Sequence, residues 1–223
     1  MLKSLIPDPI PVRIGTGDRP RRPADAHSAP GPIATACGLW FLLVGIATLG
    51  RLWQPGWNVT PMAGVALAAG AVFPNRLMAA SVPLAALAIS NVALPAYGSI
   101  VMAAFVYAAT AWPVLLGGWL RRRRGRQGEA RGAAEWISRA APVVGGSLAS
   151  TLVFYLSTNF AHWCLTNDYP HTGGGLVSCY VAALPFYRWM PLGDVAWSLA
   201  IFGALSLAER LARGRASDVP RAA

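Results

Sequence analysis

The sequence predicts an all-α polytopic integral membrane protein, six transmembrane helices with a short re-entrant or surface helix before the last. Three observations carry that expectation. The 223 residues are 55% hydrophobic and only 13% charged, too apolar and too sparsely charged for an ordinary soluble domain. Between Ile33 and Leu120 the charged residues are Arg51 and Arg76 alone. The remaining Lys and Arg fall mainly in three blocks, at 3–22, 121–139 and 210–221, which flank apolar runs as the positive-inside rule describes. The net charge of +10 is therefore read as topology, and the near absence of aromatic residues from the basic blocks argues against nucleic acid as a partner.

Residues 1–32 carry seven prolines with mixed charge and few large apolar side chains, a composition that predicts a disordered cytoplasmic tail. The first apolar run starts at Ile33, too late for a signal peptide. Span one is 33–50, closed by Arg51, and the following loop offers Trp53 and Trp57 to an interface. Span two, 58–73, is built from Gly and Ala, and its small-residue ridges at Gly64, Ala68 and Ala71 or at Ala66 and Gly70 predict a central, closely packed helix. The uncharged stretch from Leu77 to Leu120 breaks at Pro95-Ala-Tyr-Gly98 into span three, 77–95, and span four, 99–120. After the arginine-rich loop comes span five, 140–165, with Gly145, Gly146 and Ser147 as a second close-packing site. Leu176 to Tyr187 is too short to span and is interrupted by Pro185, so it reads as the re-entrant or surface helix. Span six is 192–208, and 213–223 is a basic tail. Six spans leave both termini cytoplasmic and put every Lys and Arg except Arg51 and Arg188 on the inner side.

Under that topology the polar residues gather at the outer end. In a helix, Leu156, Asn159, Phe160 and Trp163 share a face, placing an amide beside aromatic surface as in a small-ligand pocket. The competing reading makes Asn159 a helix-to-helix hydrogen bond and Trp163 part of an interfacial aromatic belt. Asn91 marks either a pathway or another interhelical bond. Arg188 either pairs with Asp194 or holds a carboxylate or phosphate. His162, Cys164, Asp168, His171 and Cys179 are metal-ligand types without a strong zinc spacing, so no metal is assigned, and His162, Cys164 and His171 remain weak candidates. Cys164 and Cys179 also suit a disulfide on an oxidising side, with Cys37 left as a buried thiol. Neither a Gly-x-Ser-x-Gly nor a His-Glu-x-x-His run occurs, no phosphate-cradling loop is recognisable, and an enzyme is not expected.

Several blocks carry a resemblance: Asn58-Val-Thr-Pro-Met-Ala-Gly, Phe73-Pro-Asn-Arg76, Pro83 to Asn91, Ser157-Thr-Asn-Phe-Ala-His-Trp163, Tyr169-Pro170, Cys179 to Phe186 and Gly193-Asp194. Together they resemble an uncharacterised family of bacterial membrane proteins (DUF6580-like) classed only as transport proteins. That family is in turn similar to the substrate-binding S components of energy-coupling-factor transporters. The resemblance implies an inner-membrane protein that captures a vitamin-like small molecule at its outer face. It also implies separate ATP-hydrolysing and transmembrane coupling subunits as partners, with no cofactor of its own. The expected ligand residues are Asn58, Asn91, Asn159, Trp163 and Tyr180, with Arg188 as an anion contact, beneath a lid at Asp168 to Gly175. The alternative is a non-transporting membrane assembly or structural protein whose small-residue helices bind other membrane proteins.

Overall fold

A computed structural model describes residues 32–53, 58–94, 97–126 and 133–217. The expected tail at 1–32 lies outside them apart from Pro32, as do Trp57, Pro95, the middle of the arginine-rich loop and the last six residues. Every regular element among the described residues is helical: α1 (Pro32–Trp53), α2 (Met62–Val72), α3 (Arg76–Ser90), α4 (Ile100–Ala111), α5 (Pro113–Arg124), α6 (Ala133–Leu165), α7 (Gly173–Tyr187) and α8 (Met190–Ser217). Pro113 opens α5 where a missing amide hydrogen costs least, and α4 and α5 run on as one apolar stretch, Ile100–Arg124.

Four of these stretches are long and apolar enough to cross a membrane: Ile33–Trp53, Ile100–Arg124, Trp136–Leu165 and Met190–Gly214. The expectation of six spans is corrected at the second and third. At about 1.5 Å per residue, the 11 residues of α2 rise only about 16 Å and the 15 of α3 about 22 Å, against a hydrocarbon layer of roughly 30 Å. Lack of charge suits a helix buried in protein as well as one facing lipid, and α2 is the former. Val65, Ala66, Leu67, Ala68 and Ala69 are completely buried, and α2 touches α1, α3, α4, α5, α6 and α8. The anticipated short helix before the last is present as α7, with Pro185 in its final turn.

Small residues make the burial of α2 possible. A Cβ on Gly70 would strike the Val114 carbonyl oxygen, and one on Gly117 would strike the Leu67 carbonyl oxygen, so α2 and α5 lie backbone against backbone. Leu43, Leu67, Val82 and Val143 fill the space around this seam. Many large apolar side chains instead point outward, among them Ile33, Phe41, Leu77, Ile100 and Leu156, as expected of a surface that meets lipid.

The bundle has two unlike poles. At one, Arg121 donates to the Phe73 carbonyl oxygen at 2.6 Å, tying the end of α5 to the end of α2. Arg124 lies over Phe202 and Arg210 over Trp136, so cations cover aromatic rings on α8 and α6 there. At the other pole α1 ends, α2 and α4 begin, and α3 ends. Arg51, expected just beyond the first helix, lies in its last turn and turns inward.

Candidate functional site

A cavity of about 330 Å³ opens among the helices at the pole opposite the arginines. Its walls come from the end of α1 (Arg51), the entry to α2 (Asn58, Thr60, Met62, Ala63), the end of α3 (Leu87), Tyr97, the α4 face from Met102 to Thr110, the middle of α6 (Ser150, Phe154, Thr158) and the start of α8 (Met190, Asp194). The mixture of apolar walls and a few polar groups is that of a small-molecule pocket, and the volume sits at the small end of the usual range. Asn58 takes a left-handed backbone conformation, φ 57°, which Asn tolerates better than most residues. It turns the chain from the α1 connection into α2 at the cavity wall.

An arginine and an aspartate face this space. Arg51 is held by neutral partners: Nη1 donates to Ser90 Oγ and, at 2.7 Å, to Asn91 Oδ1, while Nη2 donates to Tyr97 Oη at 3.3 Å. Asn91 is fixed in turn, its Nδ2 donating to Tyr107 Oη at 3.2 Å. Asp194 is 5% exposed, and its Oδ2 accepts from the Thr151 hydroxyl. Thr151 is itself buried near the middle of α6, so Asp194 lies deep while Arg51 lies toward the pole. The expected pairing of Arg188 with Asp194 is not formed. The Arg188 guanidinium rests over the Trp189 ring, 5.4 Å from its centroid.

The residues expected to bind ligand separate into three groups. Asn58 lines the cavity, and Asn91 stands behind it as the residue that positions Arg51. Asn159 lines a second cavity of about 290 Å³ between α6 and α7, together with His162, Tyr169, Cys179 and Phe186. The two cavities share Met102 and Thr158. Trp163, Tyr180 and Arg188 line neither of them. The polar atoms of Trp163 and Tyr180, like that of Asn159, are occupied locally: Asn159 Nδ2 donates to the Tyr155 carbonyl, Trp163 Nε1 to the Pro170 carbonyl and Tyr180 Oη to the Leu156 carbonyl, all within 2.8–2.9 Å.

The proposed lid is similarly anchored. His171 Nε2 donates to the Trp163 carbonyl at 2.8 Å, His162 Nε2 pairs with Asp168 at 3.0 Å, and Thr172 caps α7 by accepting from the Gly175 amide. This loop is folded onto the end of α6 and contributes nothing to the larger cavity's lining. The weak metal candidates do not converge, since no group of three or more His, Cys, Asp or Glu among the described residues could hold an ion. All three cysteines are free. Cys179 is buried and its thiol points at the Asn159 carbonyl at 3.5 Å, Cys164 is exposed, and Cys37, expected to be buried, is exposed as well.

Arg51 and Asp194 are thus the residues that sequence reasoning undervalued. Arg51 carried a signal, being one of two charges between Ile33 and Leu120, yet an arginine after an apolar run reads first as a topological marker. Ser90 and Thr151 carried none.

No curated protein and no solved structure matches the chain. A family model does match, over residues 33–216, which takes in all eight helices but for their outermost residues. The chain belongs to DUF6580, a family of unknown function.

Proposed function

We propose that the protein is the substrate-binding part of a membrane transport system and takes up a small molecule through the cavity between Arg51 and Asp194. The single observation that supports this reading is that an arginine and an aspartate line one cavity in a chain with very few ionisable residues in its apolar segments. Ionisable groups within a membrane bundle are expensive, and they characteristically mark substrate or ion pathways. The arginine pole faces the cytoplasm by the positive-inside rule, so the cavity faces outward and both termini are cytoplasmic. Four long helices satisfy this arrangement as well as six would.

The second cavity shares Met102 and Thr158 with the first and serves in this reading as an approach to it. As in the S components that the chain resembles, energy would come from ATP-hydrolysing and coupling subunits docked at the cytoplasmic face. The arginines there, together with the exposed apolar side chains, also contact lipid.

The test is a thermal-shift screen of the purified protein in detergent against amino acids, amines, nucleobases and vitamins. The comparison proteins are Ala109→Phe, which fills the cavity from α4, and Asn159→Ala. A compound present at a hundred times its dissociation constant adds about 2.7 kcal/mol to the stability of the native state. Stabilisation that is lost in Ala109→Phe and kept in Asn159→Ala supports the reading. No shift from any compound, with a monodisperse wild-type sample, overturns it and favours a structural role in which the small-residue helices bind other membrane proteins.

A further inference from the structure

The charges that line the cavity also specify what it accepts. Arg51 and Asp194 share one space, yet no ion pair joins them among the described residues, so their charged atoms stand more than 4.0 Å apart. Each is held by neutral groups alone: Arg51 by Ser90, Asn91 and Tyr97, Asp194 by Thr151. Burying a charge without a counter-charge costs several kcal/mol, and hydrogen bonds from hydroxyls and an amide recover only part of it. Closing the gap to form an internal pair would relieve both groups at once. Arg51 is instead bonded to Ser90 and Asn91 at the end of α3, and Asp194 to Thr151 of α6.

The cavity wall they share also carries apolar surface. Leu87, Val106, Ala109, Phe154 and Met190 contribute to the lining, and Asp194 is the deeper of the two charges. We infer that the ligand is a small zwitterion: its cationic nitrogen goes inward to Asp194, its carboxylate or phosphate meets Arg51 nearer the mouth, and a short apolar body lies against Phe154 and Leu87. Such a molecule neutralises both charges on binding and adds no net charge to the bundle. A purely anionic or purely cationic ligand leaves one of the two groups without a counter-charge, and a neutral ligand leaves both. This inference rests on the proposed function, since it names the substrate class of the same cavity.

The experiment uses sets matched in carbon frame and different in charge: L-phenylalanine, phenethylamine and 3-phenylpropanoate; L-tryptophan, tryptamine and indole-3-propionate; L-leucine, isoamylamine and 4-methylpentanoate; and O-phosphoethanolamine to exchange carboxylate for phosphate. Each is titrated by thermal shift into the full chain in detergent and into Asp194→Asn, which keeps the side chain's shape and removes its charge, and Arg51→Gln, which keeps an amide donor and removes the charge. The expected result is that a zwitterion stabilises the wild type at least ten times more tightly than its amine or acid counterpart. Asp194→Asn should shift the preference toward the acid, and Arg51→Gln toward the amine. Phosphoethanolamine binding in place of the amino acids would assign the anion as phosphate.

Binding of an amine or an acid in preference to the zwitterion, abolished by Ala109→Phe, would overturn the zwitterion assignment and leave the cavity's binding role intact. Zwitterion binding that neither charge-removing variant alters would overturn it too. Absence of binding by all of these probes, alongside a hit of another class in the broader screen, overturns the assignment alone. Absence in both screens overturns the binding role with it.

Discussion

The cavity beside α4 and the cluster at the tip of α6 and α7 are both rich in polar and aromatic side chains, but their polar groups are used differently. At the tip, Asn159, Trp163, His171, Cys179 and Tyr180 each direct a polar atom to a nearby backbone carbonyl. The Asn159 bond stays within α6, and the other four fasten the end of α6 to α7 and to the loop between them. Around the cavity, hydrogen bonds to Arg51 and Asp194 fix the positions of two charges without neutralising either. Polar residues that satisfy the backbone build structure, whereas charges held in place and left uncompensated are available to a ligand.

That contrast can be tested by substitution on each side of it. The largest effect on binding should come from Asp194→Ala. Truncating one partner of a buried charge contact costs about 2–5 kcal/mol, so affinity for the stabilising compound should fall by between about thirtyfold and several thousandfold by calorimetric titration. The same variant should unfold at an unchanged or higher temperature, because it removes a buried carboxylate whose protein partner is one hydroxyl. Arg51→Gln should weaken binding somewhat less, about thirtyfold, because Arg51 is only half-buried and water recovers part of the lost interaction.

Asn91→Ala comes next. It removes one of three hydrogen bonds to the guanidinium, a loss of about 1.5 kcal/mol, and should reduce affinity about tenfold through looser placement of Arg51. Asn91→Asp, which keeps the acceptor, should restore the position but compete for the cation, so it separates positioning from charge. Smallest of all, Asn159→Ala and Trp163→Phe should change affinity by less than about twofold while lowering stability by about 1 kcal/mol each, read as a lower unfolding temperature. Equal losses of affinity from the tip variants and the cavity variants would erase the distinction between the two regions.

Much of the architecture was legible in the residues. The arginine run at 121–124 marked a pole, the helix before Met190 was rightly kept short, and the Gly and Ala ridge of α2 announced a central helix. The number of spans was not legible, because an uncharged stretch of Gly and Ala has the same composition whether its surroundings are lipid or protein. Only length separated the two cases, and Met62–Val72 is shorter than the uncharged run that contains it.

The site was half legible for a related reason. Asn159 and Trp163 do share a face near aromatic surface, and Phe160 and Trp163 lie 5.9 Å apart between ring centroids. Spacing along a helix says nothing, however, about whether a side chain's hydrogen bond goes to a ligand, to its own helix four residues back, or to the following loop. Asn58 does line the larger cavity, whereas Asn91 bears on it through Arg51, a link across 40 positions that no local pattern encodes.

The most direct test of where recognition occurs is a structure, by crystallography or by electron microscopy with a bound antibody fragment, of the protein with its most strongly stabilising compound. The expected result is ligand density in the cavity between α4, α6 and α8, in contact with both Arg51 and Asp194. Density confined to the space between α6 and α7, against Asn159 and Cys179, would contradict that assignment and return the binding site to the tip.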